Sequence, residues 1–466
     1  MIKVLEERTL ELKNIDIKYS QDQSDDQANF YADKVGKYPY IVFRNVPIET
    51  PDIYLIKLRN DDFLPTMEIV FLDPTNLTQD TNFPLDNDII SLFIKSTSEN
   101  LKAVRMDFKI LTVNMVKDSK DMKNKQIFSM TCSLDVNHLY YTPYQSFSKK
   151  SSFDVLKSLA YEFGLGWASN ISNTNDIMTW INPRTTNMEF INDVVQSSYL
   201  NDSSFLWSFV DFYYNLNFVD IETQLNEDGS LNQQIVQNMT GYFDPNNKQK
   251  ETTMPLFLTN HPDYQTGPNQ NVYISQYNLQ NSSTKTNLEA GYLNRVRYYN
   301  KEDYNLSIMT LDTISTAGKD DNLIVLKNQP QDSDGLFKYN FADKWLGKID
   351  TDNVHKNFVW AQQQNKNNIS YFQKIRMKVV LNVANFNLYR FQNIPIKIYK
   401  VGELHTDNNN LYNLNERLSG NWLITGINYI YSKKDGFSQE VNLTRRDLTA
   451  FQAASSTDGT TGIKNQ

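Results

Sequence analysis

The sequence predicts a mainly β protein with an α+β module near the middle of the chain. Three observations carry that prediction. Apolar residues alternate with polar ones, or gather in short β-branched and aromatic runs, from residue 1 to about 148. Helical spacing takes over abruptly near residue 150, and strand patterns return from about residue 290. At roughly 150 residues per domain, 466 residues allow two to four domains and an ample core.

In the first stretch, Val104-Arg105-Met106-Asp107-Phe108-Lys109-Ile110 alternates apolar with charged residues, which predicts a strand with one face on a core and the other in water. Residues 65–72 and 89–94 are β-branched and aromatic runs bounded by Asp, Asn and Pro, and read as strands buried on both sides. Several such strands at short intervals suggest a small barrel or a sandwich.

Near residue 150, Ser151-Ser152 offers an N-cap. Phe153, Leu156, Leu159, Ala160 and Phe163 then share a helical face, and Gly164 supplies the left-handed stop, which predicts a helix over about 153–163. Thr186 with Glu189 forms a capping box for a second helix lined by Phe190, Ile191, Val194, Val195 and Tyr199, up to about residue 200. Residues 204–214 read as an aromatic strand, with 216–221 returning as its partner around Asn215.

Residues 222–290 are rich in Asn and Gln, and are punctuated by Asp228-Gly229, Asp244-Pro245 and Gly267-Pro268. They predict long loops with a few short strands. Strand patterns follow at 293–299, 374–383 and 394–399. The clearest hairpin comes last, 420–431 turning through Lys433-Lys434-Asp435-Gly436 into 437–444. Beyond Asp447 the tail is small and polar, and a disordered end is expected there.

Composition excludes several chemistries. Cys132 is the one cysteine, so neither an intramolecular disulfide framework nor a cysteine-based zinc site is available. His138, His261, His355 and His405 lie too far apart in sequence for a helical metal pair. The formal net charge is -8, and no basic block offers a surface to nucleic acid or to an anionic bilayer. Lys433-Lys434 and Arg445-Arg446 are short pairs expected on the solvated surface. The opening Met1-Ile2-Lys3-Val4 lacks the regions of a signal peptide, and no apolar run approaches the length of a membrane span. Asn accounts for roughly one residue in eight, above ordinary usage, and its even spread points to base-composition bias.

No catalytic template is present: no Gly-x-Ser-x-Gly elbow, no phosphate loop and no His-Glu-x-x-His. Asp61-Asp62 and Asp86-Asn87-Asp88 sit in predicted turns, where their side chains stabilise the bend. Asp332-Ser333-Asp334-Gly335 lacks the closing Glu of a calcium loop and reads as a turn too. Trp207 and Trp422 lie in strand patterns, where packing into a core or an interface is the common use of the ring.

Two stretches set in this order carry a family resemblance. Residues 177–223 run from Ile177-Met178-Thr179-Trp180-Ile181-Asn182-Pro183-Arg184 through Ser204-Phe205-Leu206-Trp207-Ser208-Phe209 to Asn217-Phe218-Val219-Asp220. They are similar to the Pro-bearing turn, helix and aromatic strand pair of the baseplate hubs of T-even-type phages. Residues 420–447, with Gly420-Asn421-Trp422-Leu423-Ile424-Thr425-Gly426-Ile427, are similar to the last hairpin of the same superfamily, which ends near an Arg, here Arg445. The chain thus resembles the tail-hub superfamily of contractile injection systems, which includes phage late control proteins and type VI secretion spike proteins.

The resemblance implies a mainly β fold with an α+β module and two small antiparallel β-barrels per chain, which form a pseudo-hexameric ring in a trimer. On that basis residues 1–150 are a first barrel domain with an N-terminal extension, 151–222 the helical module and 223–290 a loop-rich insertion. Residues 291–448 are then a second barrel and 449–466 a disordered tail. The implied function is a homotrimeric adaptor between the six-fold tail tube protein and a three-fold spike protein, flanked by baseplate wedge proteins. DNA would pass through its channel without sequence-specific binding. The implied location is the virion tail, assembled in the host cytoplasm, with no stable membrane insertion. No catalytic, cofactor or metal site is implied, and Trp207, Phe209, Trp422 and Arg445 are the expected interface residues. Two alternatives stay open: a receptor- or glycan-binding tail module using Trp207 or Trp180, and a carboxylate-based cell-wall hydrolase.

Overall fold

The structure is a computed structural model. It describes residues 2–12, 39–73 (without 49), 83–94 (without 86), 104–117 and 126–226. Beyond these it describes 233–235, 253–255, 258–260, 273–282, 293–300, 306–311, 341–349 and 353–365 (without 363). The last described segments are 374–400 (without 383 and 385–387) and 414–445 (without 416). The predicted turn at 332–335, the tail 449–466 and most of the Asn-rich stretch lie outside the described residues.

Strand β1 (Lys3–Glu6) belongs to the central module. The first strand-rich stretch forms β2 (Tyr40–Phe43), β3 (Val46–Ile48), β4 (Ile53–Asn60), β5 (Thr66–Asp73), β6 (Ile89–Ile94), β7 (Val104–Lys117) and β8 (Gln126–Leu134). β6 is buried on both faces, as its apolar run predicts, whereas β5 alternates, with Thr66, Glu68 and Val70 half-buried. β7 extends seven residues past the predicted stretch, because Leu111, Val113 and Met115 resume the alternation one residue out of phase, across the irregularity at Leu111.

The module holds β9 (Tyr144–Lys150), helix α1 (Ser152–Glu162), β10 (Gly166–Ser169), β11 (Met178–Pro183), helix α2 (Asn187–Ser197), β12 (Leu206–Val210), β13 (Asn215–Asp220) and helix α3 (Ile221–Asn226). Both predicted caps are present. Ser151 accepts the Asp154 amide, Gly164 takes φ +70°, and Thr186 and Glu189 close the capping box. α2 stops at Ser197, so Tyr199 lies beyond it. The aromatic strand ends at Val210 rather than at 214, because the half-buried Asp211 carboxylate accepts the amides of Tyr213 and Asn215 and makes 211–214 the turn. The module sheet runs β1-β10-β13-β12, and β9 pairs with β11 as a separate ribbon.

The remaining strands are β14 (Gln233–Ile235), β15 (Thr253–Pro255), β16 (Leu258–Thr259), β17 (Ile274–Asn281), β18 (Leu293–Asn300), β19 (Leu306–Leu311), β20 (Phe341–Ile349), β21 (Ile375–Leu381), β22 (Asn393–Lys397), β23 (Gly420–Ser432) and β24 (Gly436–Arg445). β17, at eight residues, is longer than the short strands expected of the Asn-rich stretch.

Strands from both ends of the chain form one 13-stranded sheet in the order β17-β21-β24-β23-β4-β5-β8-β7-β6-β2-β3, with β22 and β16 branching from β23. Among the described residues no strand pairing closes either half into a barrel. The halves repeat each other. One unit runs β4-β5-β8-β7-β6 and the other β17-β21-β24-β23-β22, with every pairing antiparallel.

The repeat extends to register. Ile53 pairs with Phe71 and Leu55 with Val70, leaving Tyr54 bulged; Ile274 pairs with Leu381 and Gln276 with Val380, leaving Ser275 bulged. Leu111 is bulged between β7 and β8 where Thr425 is bulged between β23 and β24. A bulge sets local twist and bend, so two matched bulges give two similarly shaped units. Core positions match in polarity. Met67, Ile69 and Phe71 correspond to Met377, Val379 and Leu381, and Phe108 and Ile110 to Trp422 and Ile424, all buried.

The polar face of β7 corrects one expectation. Asp107 is buried rather than in water, held by Arg105 and by the Ser91 hydroxyl. The Tyr214 hydroxyl accepts the Asp107 amide at 2.9 Å and lies 3.1 Å from its carbonyl, so the module's hairpin turn lies over this face.

Candidate interaction surfaces

The two units meet where β23 and β4 pair, from Ile427 opposite Asn60 to Ser432 opposite Leu55. Beside this ladder the connection between β21 and β22 adds a staple. Arg390, fully buried, donates from Nε to the carbonyl of the bulged Thr425 at 2.7 Å and from Nη2 to the Asp61 carbonyl at 3.0 Å. Nη1 donates to the Asp62 carbonyl, and the guanidinium lies 4.8 Å and 5.1 Å from the ring centres of Phe209 and Phe391. Burial draws its pKa down to about 10, opposed by Asp61 and Asp62, so the group stays cationic at neutral pH. One cation thereby ties the β4–β5 turn to the bulge of β23.

The same seam explains Gly426. A Cβ there would stand 2.7 Å from Asp61 Cβ, so the absence of a side chain lets the two strands approach. Lys433 and Lys434 are exposed, as expected of a surface pair, and Lys433 also holds on to the first unit. Its Nζ donates to the Pro51 carbonyl, its amide to the Tyr54 carbonyl, and it lies over the Tyr54 ring. Asp61-Asp62 do form the predicted turn, with Asp62 accepting the Phe63 amide. A cavity of about 440 Å³ opens beside the seam, lined by Trp207, Phe391, Asn278, Arg376 and Asn442 among others.

The four residues expected at an interface make contacts within this chain. Phe209 is buried with Phe205, Ile221, Phe391 and Leu423, and Trp207 packs against that cluster half-buried. Trp422 is fully buried and donates from Nε1 to the Leu418 carbonyl, while Arg445 lies over its ring and donates to the Ser419 carbonyl. Trp180 is also buried, with its Nε1 on the Lys150 carbonyl, so its ring offers no open face for a sugar.

A second buried seam ties residues 353–365 to the module. Asn365 Nδ2 donates to the carbonyls of Val195 and Ser198, and His355 Nε2 lies 2.9 Å from the Ser197 carbonyl. Carbonyls at the end of α2 thus receive partners from a segment about 160 residues away.

Two kinds of surface remain open. On the module, Tyr144 is 77% exposed on the outer face of the β9–β11 ribbon, with Ile181 also exposed there. On the large sheet, the edge of β7 from Leu111 onward has no strand partner among the described residues, and β17 ends the sheet on the other side. Sequence reasoning did not single out Arg390, Gly426, Leu111 or Met115. The alternation that resumes out of phase at Leu111 was the available signal for the last two.

Cys132 is buried and its thiol is pushed up to about 12 by burial, which makes it inert. Among the described residues no group of three or more His, Cys, Asp or Glu could hold a metal ion, and no helix is long and apolar enough to cross a membrane.

No protein-family model and no curated protein matches the sequence. Solved structures do match. The fold is similar to that of one phage tail protein. The 43 kDa tail protein of prophage MuSo2 from Shewanella oneidensis covers 88% of this chain and 98% of its own, with a TM-score of 0.50 at 8% identity. A tail protein from Neisseria meningitidis covers 87% and 96%, with a TM-score of 0.46 at 11% identity. A component of the Escherichia coli type VI secretion system covers 84% and 73%, with a TM-score of 0.40 at 7% identity. All three are similar in shape and not in sequence.

Proposed function

We propose that this chain is the structural hub of a contractile phage tail baseplate, a trimeric adaptor joining a six-fold tail tube to a three-fold spike. The observation that carries the proposal is the repeated unit. Two sheets of one strand order and one bulge pattern sit edge to edge in a single chain. Three copies of such a chain offer six near-equivalent sheets on one side, while the module and the other non-repeated parts keep three-fold symmetry on the other. A closed ring of this kind resolves a mismatch between six and three. Each unit would complete a small barrel in the assembled ring, around a channel for DNA.

The proposed partners are tail tube protein, a trimeric spike protein and the surrounding wedge proteins, and the proposed location is the virion. The buried aromatic seams suit such permanent assemblies, in which a rigid subunit is stacked under load. Light scattering on the full chain, alone and mixed with tube and spike proteins, tests the proposal. A complex holding three copies of the 54.2 kDa chain is expected in the mixture. A chain that stays monomeric and binds neither neighbour would overturn it.

A further inference from the structure

We propose that the cleft beside the β23–β4 seam is a carbohydrate-binding site, taking one or two neutral pyranose rings against Trp207 with their hydroxyls on a grid of polar side chains from β17, β21 and β24. The inference does not depend on the ring described under the proposed function, because it assigns a ligand site to a single chain.

Strand register builds the floor of the cleft. Asn278 of β17 stands opposite Lys378 of β21, which in turn stands opposite Asn442 of β24. Two residues along, Gln280, Arg376 and Thr444 make a second row on the same face. All six side chains line the cleft. Their spacing, about 4.8 Å between strands and about 6.8 Å along them, is on the scale of a sugar ring. Beyond Asn442 the next position is Gly426, just past the bulge at Thr425, the changeover at which β23 exchanges β22 for β4 as its partner. The floor drops there for want of a side chain, and Asp61 of the β4–β5 turn closes that end. The opposite wall is aromatic. It holds Phe205 and Trp207 of β12 with Phe391. Trp207 is half-buried, and Phe205 and Phe391 meet its ring at 89° and 68° rather than stacking on it.

The chemistry of this set selects the ligand. The cavity of about 440 Å³ falls within the roughly 300–1,000 Å³ of small-molecule sites, and such sites combine an apolar wall with a few placed polar groups. The indole offers apolar surface to the C–H face of a pyranose ring. Hydroxyls both donate and accept, and the carboxamides of Asn278, Gln280 and Asn442 with the Asp61 carboxylate supply both kinds of partner. An anion is less well served. Lys378 is paired with Glu440 at 2.6 Å, Arg390 gives its donors to three carbonyls, and Asp61 repels an entering phosphate or carboxylate.

Calorimetric titration of the full chain with maltose, cellobiose, lactose and N,N′-diacetylchitobiose tests the assignment, with tryptophan emission read in parallel. At least one of these disaccharides should bind saturably at one site per chain and change the emission. Asn278 is exposed, so Asn278→Ala leaves the fold in place; it should weaken binding about tenfold, the effect of one lost hydrogen bond. Trp207→Leu should weaken it further and abolish the emission change, with an unaltered circular dichroism spectrum showing that the variant is folded. Glucose 6-phosphate and uridine monophosphate should bind more weakly than the disaccharide. No saturable binding of any of these disaccharides at millimolar concentration would overturn the site. So would binding that neither Asn278→Ala nor Trp207→Leu weakens, or a preference for either phosphate compound. Each of these results leaves the proposed ring standing, since that rests on assembly with tube and spike proteins.

Discussion

The far half of β23 and the far half of β7 occupy the same place in two copies of one sheet, and they meet opposite fates. The first is covered by β4, stapled by Arg390 and closed against Gly426; the second shows Leu111 and Met115 to solvent. Nothing in the strand order or the bulges distinguishes them. The difference lies in what pairs with them: β4 covers the far half of β23, whereas among the described residues no strand covers that edge of β7. The lesson is that an exposed apolar edge can be interpreted by what covers its twin.

The strongest way to break the comparison is to empty matched core positions. Phe108→Ala and Trp422→Ala remove equivalent rings and should each cost about 3–5 kcal/mol in denaturant titrations. A large loss at one and almost none at the other would show that the units are not equivalent in energy. Next comes the staple that only the covered edge possesses. Arg390→Met strands the carbonyls of Asp61, Asp62 and Thr425 and should cost on the order of 3 kcal/mol, seen as earlier unfolding of the β23–β4 seam in hydrogen exchange.

Matched positions at the changeover should then differ. Gly426→Val forces a side chain against Asp61 and should cost about 1–3 kcal/mol, whereas Thr112→Val, at the corresponding exposed position of β7, should stay within about 0.5 kcal/mol. Equal costs would mean that the seam is not tight.

The smallest effect lies away from both edges. Burial lowers the pKa of His355 below its ordinary value, so the folded state favours the neutral ring and loses stability as pH falls below about 6.5. The groups around it are the Ser197 carbonyl, the rings of Trp180, Tyr199 and Phe358, and the Asp176 charge. His355→Gln should flatten the stability profile between pH 7 and 5 relative to the parent chain. An unchanged slope would remove His355 from the account of that seam.

Much of the local structure was legible in the sequence. Ser151, Gly164, Thr186 and Glu189 announce both helices because caps act over three or four residues. The β23–β24 hairpin was legible because alternation and a Lys-Lys-Asp-Gly turn lie side by side. The repeated unit was not, because the halves share polarity and register rather than identity, as Phe108 against Trp422 shows, and their connecting loops differ in length. Pairing of Leu58 with Tyr429, separated by most of the chain, leaves no local trace. Asp107 looked solvated for the same reason, since the Tyr214 that covers it lies 107 residues away. Trp207, Phe209, Trp422 and Arg445 were recognisable as packing residues, but only the fold could show that they pack against their own chain.

The central claim is that one sheet unit is used twice in this chain and that the proposed assembly covers the edges left without a partner among the described residues. Amide hydrogen exchange on the full chain, before and after assembly with tube and spike proteins, tests it most directly. Residues 427–432 should be protected in both states, while 111–117 and 274–281 should exchange quickly in the free chain and become protected together on assembly. Protection of 111–117 in the free monomer, or no gain at 274–281 in the assembled particle, would contradict it.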